Sequence, residues 1–160
     1  VVTNIFQRTS ASTDQFSFDL DLDENLPIVN VNEFVVWEII DPLIQNSIEH
    51  AGEGHIVIKI KTRYLREMSR SEMTISDNGI GIQPALLERN KQGIKRIFLE
   101  NITTKIENQR SGYGCYIAYE IATQRCGWHI DVENLPGGGC CFKITIPHST
   151  SNTQNDQGER

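Results

Sequence analysis

Asp77-Asn78-Gly79-Ile80-Gly81-Ile82 is the stretch on which the reading of this chain turns. It follows Met73-Thr74-Ile75-Ser76, which reads as the end of a buried strand. A carboxylate therefore arrives at a strand end, with two glycines at alternate positions behind it. Glycine permits φ > 0 and lets a flat ligand approach the main chain closely. Asp77 can accept a hydrogen bond from an exocyclic amino group, so the stretch suits a purine. The same residues also read as an ordinary Asn-Gly turn. The neighbouring segments distinguish the two readings.

Upstream of Asp77, His55 to Tyr64 and Glu72 to Ser76 alternate as strands, and Met68-Ser69-Arg70-Ser71 turns the chain between them. This hairpin delivers Asp77 to a sheet edge. Phe16 to Leu22 alternates as a half-buried strand, Asp23-Glu24-Asn25 is a turn, and Pro27 restarts an extended piece. Asn32 to His50 is predicted as a long helix, capped by Asn30 or Asn32 and favoured by Glu33 in its first turn. Val36, Ile40, Leu43, Ile44, Ser47 and Ile48 form its core stripe. Pro42 interrupts that stripe and is predicted to kink the helix, at a cost of about 3 kcal/mol in a regular interior. Gly52 and Gly54 end it.

Asn46 and His50 lie one helical turn apart and share a face. An amide oxygen at Asn46 can bind a hard cation such as Mg²⁺, which also takes phosphate oxygens and water; the alternative is a helix-surface asparagine. His50 can lie over a base or sugar, or cap the helix end.

Downstream, residues 83–111 show only short periodicities, at Ala85-Leu86-Leu87 and from Ile94 to Leu99. A segment this long with little pattern reads as a lid. Lys105 and Arg110 in it are candidate phosphate contacts or solvated surface charges. Ser111-Gly112-Tyr113-Gly114 opens a second helix, Cys115 to Cys126, with Ile117, Ala118, Ile121 and Ala122 on its apolar side. Exposed amides at a helix start favour an anion. Gly127 closes the helix, Trp128 to Asn134 is a strand, Pro136 to Gly139 is a hairpin turn with no ligand role, and Cys140 to Pro147 is the last strand. The order predicts an α+β fold: a two-layer sandwich with a mixed, mostly antiparallel sheet and helices on one face.

Composition narrows the class. The chain has 160 residues, 38% hydrophobic and 22% charged, which fits one globular domain. That domain is placed at 15–148, after a polar lead-in over 1–14 and before a polar tail over 149–160. The longest apolar run, Phe34-Val35-Val36-Trp37, falls far short of the ~18 residues of a membrane span, so no membrane contact is expected of this piece. A net charge of −6 argues against nucleic acid and anionic membranes. The four cysteines, Cys115, Cys126, Cys140 and Cys141, contain no C-x-x-C pair; reduced packing cysteines and a cytoplasmic setting fit better than zinc or disulfides. The chain opens on Val1 rather than Met and reads as an excised piece, whose parent can carry an anchor upstream.

Four motifs in fixed order carry a resemblance to the GHKL superfamily. Asn46-Ser47-Ile48-Glu49-His50 resembles its asparagine box, and Asp77-x-Gly79-x-Gly81 its first glycine box. Phe98-Leu99-Glu100 with Thr103-Thr104-Lys105 resembles the phenylalanine box and lid of sensor histidine kinases. Ser111-Gly112-Tyr113-Gly114-Cys115-Tyr116 is similar to their second glycine box, and Gly137-Gly138-Gly139 before Cys140-Cys141-Phe142 to the closing strand. The resemblance covers about Phe16 to Pro147.

It implies a Bergerat-fold ATP site. Asp77 would bind the adenine amino group, Asn46 would hold Mg²⁺, and Gly112 and Gly114 would meet the phosphates. Gly79, Gly81, Ile82, His50, Thr104, Lys105 and Tyr113 complete the implied nucleotide contacts. The hydrolysing members carry a glutamate base one turn before the asparagine. Here that position is Pro42, and Asp41 is displaced by about 100° around the helix. The resemblance therefore favours a histidine kinase, whose nucleophile is an imidazole on a separate acceptor domain, over an ATPase. A response regulator would lie downstream. None of the four histidines stands in an acceptor-box context. Glu49, where many kinases carry lysine, Arg110, in place of a glycine, and Tyr113 and Cys115, in place of leucines, leave a nucleotide-binding module without phosphotransfer as the alternative.

Overall fold

The computed structural model describes residues 15–50, 52–100 and 113–148. The lead-in 1–14, the tail 149–160 and the stretch 101–112 lie outside these, and with them Thr104, Lys105, Arg110 and Gly112.

Five strands form one sheet: β1 (Phe16–Asp21), β2 (Ile56–Leu65), β3 (Arg70–Ser76), β4 (His129–Asn134) and β5 (Cys140–Pro147). Their spatial order is β1-β2-β3-β5-β4. The β1–β2 pair is parallel and the other three are antiparallel. This is the mixed, mostly antiparallel sheet that the strand pattern implied.

Alternation sorts the two faces. Phe16 pairs with Ile56, Ile60 with Ile75, Ile75 with Phe142 and Phe142 with Val132, so apolar residues of all five strands share one face. Those residues and the helices above them form the core. The opposite face is polar, with Lys59–Asp19 at 2.7 Å, Arg63–Asp21 at 2.5 Å and Lys143–Glu72 at 3.5 Å. Such exposed pairs add little stability each.

Helix α1 (Glu33–Glu49) starts at Asn32, whose side chain accepts from the Phe34 N–H at 2.9 Å. It runs unbroken through Pro42 and buries Ile39, Leu43, Ile44, Ser47 and Ile48. Two details of the predicted stripe change: Ile39 is fully buried, whereas Val36 and Ile40 are only partly covered and face a cavity. A short helix α2 (Pro84–Leu87) follows β3. Helix α3 (Gly114–Glu120) packs against α1 and continues into a π-helical turn, Ile121–Arg125, where Cys126 N–H bonds the Ile121 carbonyl at 3.2 Å. Ala118, Ile121 and Ala122 are buried as predicted, but Ile117 is 44% exposed.

Between α2 and α3, the described part of the predicted lid packs on the body of the domain. Arg89 and Lys95 bridge, and both bind Asp131 on the edge strand β4, at 2.7 and 2.9 Å. Lys95 also donates to the Val132 carbonyl. Phe98, 2% exposed, stacks on Tyr119 with ring centroids 5.0 Å apart and meets Phe142 edge-on. No helix among the described residues is long and apolar enough to cross a membrane.

Candidate nucleotide site

Asp77 leaves the end of β3 and is 7% exposed. Its Oδ1 accepts from the Gly79 N–H at 3.0 Å and from the Cys140 N–H at 3.3 Å, while its own N–H donates to the Cys140 carbonyl at 3.0 Å. Oδ2 faces the Cys140 thiol, with Sγ at 3.2 Å. A thiol is a weak donor, and a carboxylate has about four acceptor sites. One oxygen is thus fixed by two backbone amides, and the other keeps most of its accepting capacity. This is the fit that a ligand amino group needs.

The loop after Asp77 is stapled on both sides. Asn78 Oδ1 accepts from the Val57 N–H at 2.8 Å, and its Nδ2 donates to the His55 carbonyl at 3.3 Å. Ile82 N–H donates to Asn134 Oδ1, and Asn134 Nδ2 donates to the Ile82 carbonyl. Ile82 itself is buried in the core. Gly81 adopts φ +78°, and a Cβ there would stand 2.9 Å from Asn134 Oδ1 and 3.1 Å from the Gly139 carbonyl. The room at Gly81 is therefore filled by protein, not kept for a ring. The turn 136–139, given no ligand role above, is the wall behind this loop: a Cβ on Gly139 would overlap the Asp77 carbonyl oxygen.

Asn46 lies near the C-terminal end of α1, and His50 closes that helix, its N–H bonded to the Asn46 carbonyl at 3.1 Å. Cys115, in the first turn of α3, brings its Sγ to 3.9 Å from Asn46 Oδ1. Pro42 meets the start of α3, because a Cβ on Gly114 would stand 3.2 Å from Pro42 Cβ. Tyr113, just before the helix, is 46% exposed. Past the end of α1, Gly52 leaves space that Ile80 of the Asp77 loop occupies, 2.6 Å from where its Cβ would lie. The C-terminal half of α1 thus touches the start of α3, and Gly52 just past α1 touches the Asp77 loop, which brings the three segments together around this helix end. Gly79 takes part through its amide, whereas Thr104, Lys105 and Gly112 lie outside the described residues.

Burial dominates the electrostatics. The Cys115 thiol is pushed up to about 12 by burial and then by the Glu49 charge. Burial and the Asp77 carboxylate push Cys140 higher still. Both thiols therefore stay protonated. Among the described residues no group of His, Cys, Asp and Glu is arranged to hold a metal ion by itself. A cation here would rest on the Asn46 amide oxygen together with ligand oxygens, a hard-oxygen set that suits Mg²⁺. Asp41 has a buried Oδ1 without a hydrogen-bond partner. Sequence reading missed Asn134, Gly139 and Cys140 as parts of this site. Their only signal is proximity across the sheet.

The fold and this convergence of segments define a Bergerat-type nucleotide-binding domain. The chain belongs to the histidine kinase-, DNA gyrase B- and HSP90-like ATPase family, whose model matches residues 32–150. Among curated relatives it is 29% identical to the alginate biosynthesis sensor protein KinB of Pseudomonas aeruginosa, over 82% of this chain and 20% of that protein. It is 28% identical to the adaptive-response sensory kinase SasA of Synechococcus, over 92% and 36%. The chain therefore spans about a third or less of the curated relatives it matches. Among solved structures, the catalytic domain of histidine kinase ThkA matches with a TM-score of 0.67 and 25% identity, covering 83% of this chain and 79% of that one. A mycobacterial sensor histidine kinase, MprB, shares the fold with a TM-score of 0.67 over 91% of both chains, at 15% identity. Family membership implies ATP as the nucleotide.

Proposed function

We propose that residues 15–148 are the ATP-binding catalytic unit of a sensor histidine kinase, which donates the γ-phosphoryl group of ATP to a histidine on a separate acceptor domain. The observation that carries this reading is Asp77: a buried carboxylate with one oxygen locked by backbone amides and the other facing only a thiol. On this reading Asp77 accepts from the adenine amino group, Asn46 orients a Mg²⁺ ion, and Gly79, Gly81, Ile82 and His50 shape the adenine end. The phosphate end falls to Gly112, Tyr113, Gly114, Thr104 and Lys105 by resemblance. Mg²⁺ supplies charge neutralisation of the phosphate oxygens. The protein's part is positioning, since phosphoryl transfer asks for little covalent work. Pro42 carries no acid–base group, which agrees with transfer to an imidazole rather than to water.

The test is calorimetry with ATP and Mg²⁺, followed by transfer to a supplied acceptor domain. Binding that weakens at least tenfold in Asp77→Asn, and phosphohistidine on the acceptor but not on this chain, is the expected result. No heat at millimolar nucleotide would refute the reading. Binding without transfer would favour a nucleotide-sensing module, which the Pro42–Gly114 contact and Glu49 at the asparagine box also suit. A response regulator and a cytoplasmic location belong to the same proposal.

A further inference from the structure

We infer that the domain carries a second binding site, for an uncharged, mainly apolar small molecule with a single hydrogen-bonding group. The site is a cavity of about 290 Å³ between segment 26–31, the N-terminal half of α1, the core face of β3 and β5, and Trp128. Val36, Ile40, Met73, Ile144 and Ile146 line it, and among the described residues Ser71, with its hydroxyl, and Trp128, with its indole N–H, are the lining side chains that carry a polar group. Ser71 stands six residues before Asp77 in β3, about 20 Å along a strand. The cavity is therefore separate from the nucleotide site.

Three observations choose the ligand. Among the described residues no charged side chain lines the cavity, so a phosphate, carboxylate or ammonium would lose its hydration without a counter-charge. The cavity reaches the lower end of ligand-pocket size. Water gains little on these walls, because an ordered water needs about two to four polar partners and the described side chains offer only the Trp128 indole N–H and the Ser71 hydroxyl. The hydroxyl is firmly held. Ser71, 3% exposed, holds its Oγ 2.7 Å from His148 Nε2. His148 is fixed by its N–H to the Ser69 carbonyl at 2.8 Å and by an edge-on contact with the Tyr64 ring. A cavity of about 150 Å³ holds benzene. Nearly twice that volume suits roughly ten non-hydrogen atoms, with a hydroxyl directed at Ser71.

The experiment is a titration of the chain with n-alkanols from butanol to decanol, followed by amide chemical shifts. Expected are saturable shifts at Val36, Ser71, Met73 and Ile144, with affinity that rises per methylene and then levels near octanol. Hexanoate should bind at least tenfold more weakly than hexanol. Ser71→Ala should weaken hexanol binding about threefold to tenfold, and the cavity-filling Val36→Trp should abolish it while the ATP titration is unchanged. Ile40→Phe, checked for a native spectrum, serves if Val36→Trp misfolds. Unsaturable shifts spread over the surface, equal binding of hexanoate, or full binding to a folded filled variant would each overturn the inference. None of these readouts depends on whether the chain transfers phosphate.

Discussion

Asn134 grips the backbone of Ile82 with both ends of its amide, accepting from the N–H at 2.8 Å and donating to the carbonyl at 2.7 Å. This side chain does what a neighbouring strand would do, and it fixes the loop that follows Asp77. Asn134→Ala removes both bonds. Net values near 1 kcal/mol per bond predict a loss of about 1–2 kcal/mol in urea unfolding. Amide exchange at Gly81 and Ile82 should accelerate more than the global loss explains. Uniform exchange across the sheet would contradict the local role.

Gly139 adopts φ +79° and leaves no space beside the Asp77 carbonyl, whereas a Cβ on Gly137 would meet nothing within 4 Å. Gly139→Ala should cost more than about 2 kcal/mol, combining a left-handed backbone penalty with a steric clash. Gly137→Ala should stay within about 0.5 kcal/mol of the parent. Thermal melts of the pair decide the point.

The cysteines make a chemical prediction. Burial raises Cys115, Cys126, Cys140 and Cys141 alike, with Glu49 adding to Cys115 and Asp77 to Cys140. The thiolate is the reactive form. The native chain should therefore resist iodoacetamide near pH 7.5, and the unfolded chain should take up four labels. Fast labelling of Cys140 in the native state would contradict its place under Asp77.

Asp131 ties stability to acid. Burial alone would raise its carboxyl, but hydrogen bonds from Lys95, the Val132 N–H and Arg89 outweigh that, so its pKa lies below the ordinary 3.8. The unfolded chain then binds the proton more readily than the folded one, so this contribution is present above the unfolded value and is lost as pH falls through the folded one. Asp131→Asn should flatten the stability profile below about pH 4. An unchanged acid limb would reject the assignment.

Pro42 leaves the Glu38 carbonyl without its helical donor, although α1 continues through it. Pro42→Ala should stabilise the domain by about 1–2 kcal/mol, the restored bond outweighing lost chain stiffness and contact at Gly114. Denaturant midpoints test this.

Much of the fold was legible because it is periodic. The alternation of β1, β2 and β5 and the cap at Asn32 follow from local rules, and so does the position of Asp77 at a strand end. The buried pair Ile97-Phe98 was not legible: a 3-10 turn aims two consecutive residues inward, and no helical or strand period announces that. Leu43, Ile44, Ser47 and Ile48 of the expected stripe are buried, whereas in the N-terminal half Ile39 takes the buried place expected of Val36 and Ile40, which border the cavity. At the site, Asp77 and Asn46 carry chemistry in their side chains and stand out from their neighbours in the sequence. Asn134 acts through hydrogen bonds and Gly139 through shape, each against a segment more than fifty positions away, and only the folded chain reveals them.

The bridge between Arg89 and Lys95 closes off one margin of the sheet, because its two cations hold the acid and a carbonyl of β4. Among the described strands, β1 is then the outer one without such a guard. Strand-to-strand polymerisation, should conditions provoke it, would grow from one side only. Two molecules joined there would each use up the one unguarded edge among the described strands, so the route stops at pairs instead of running on into fibres.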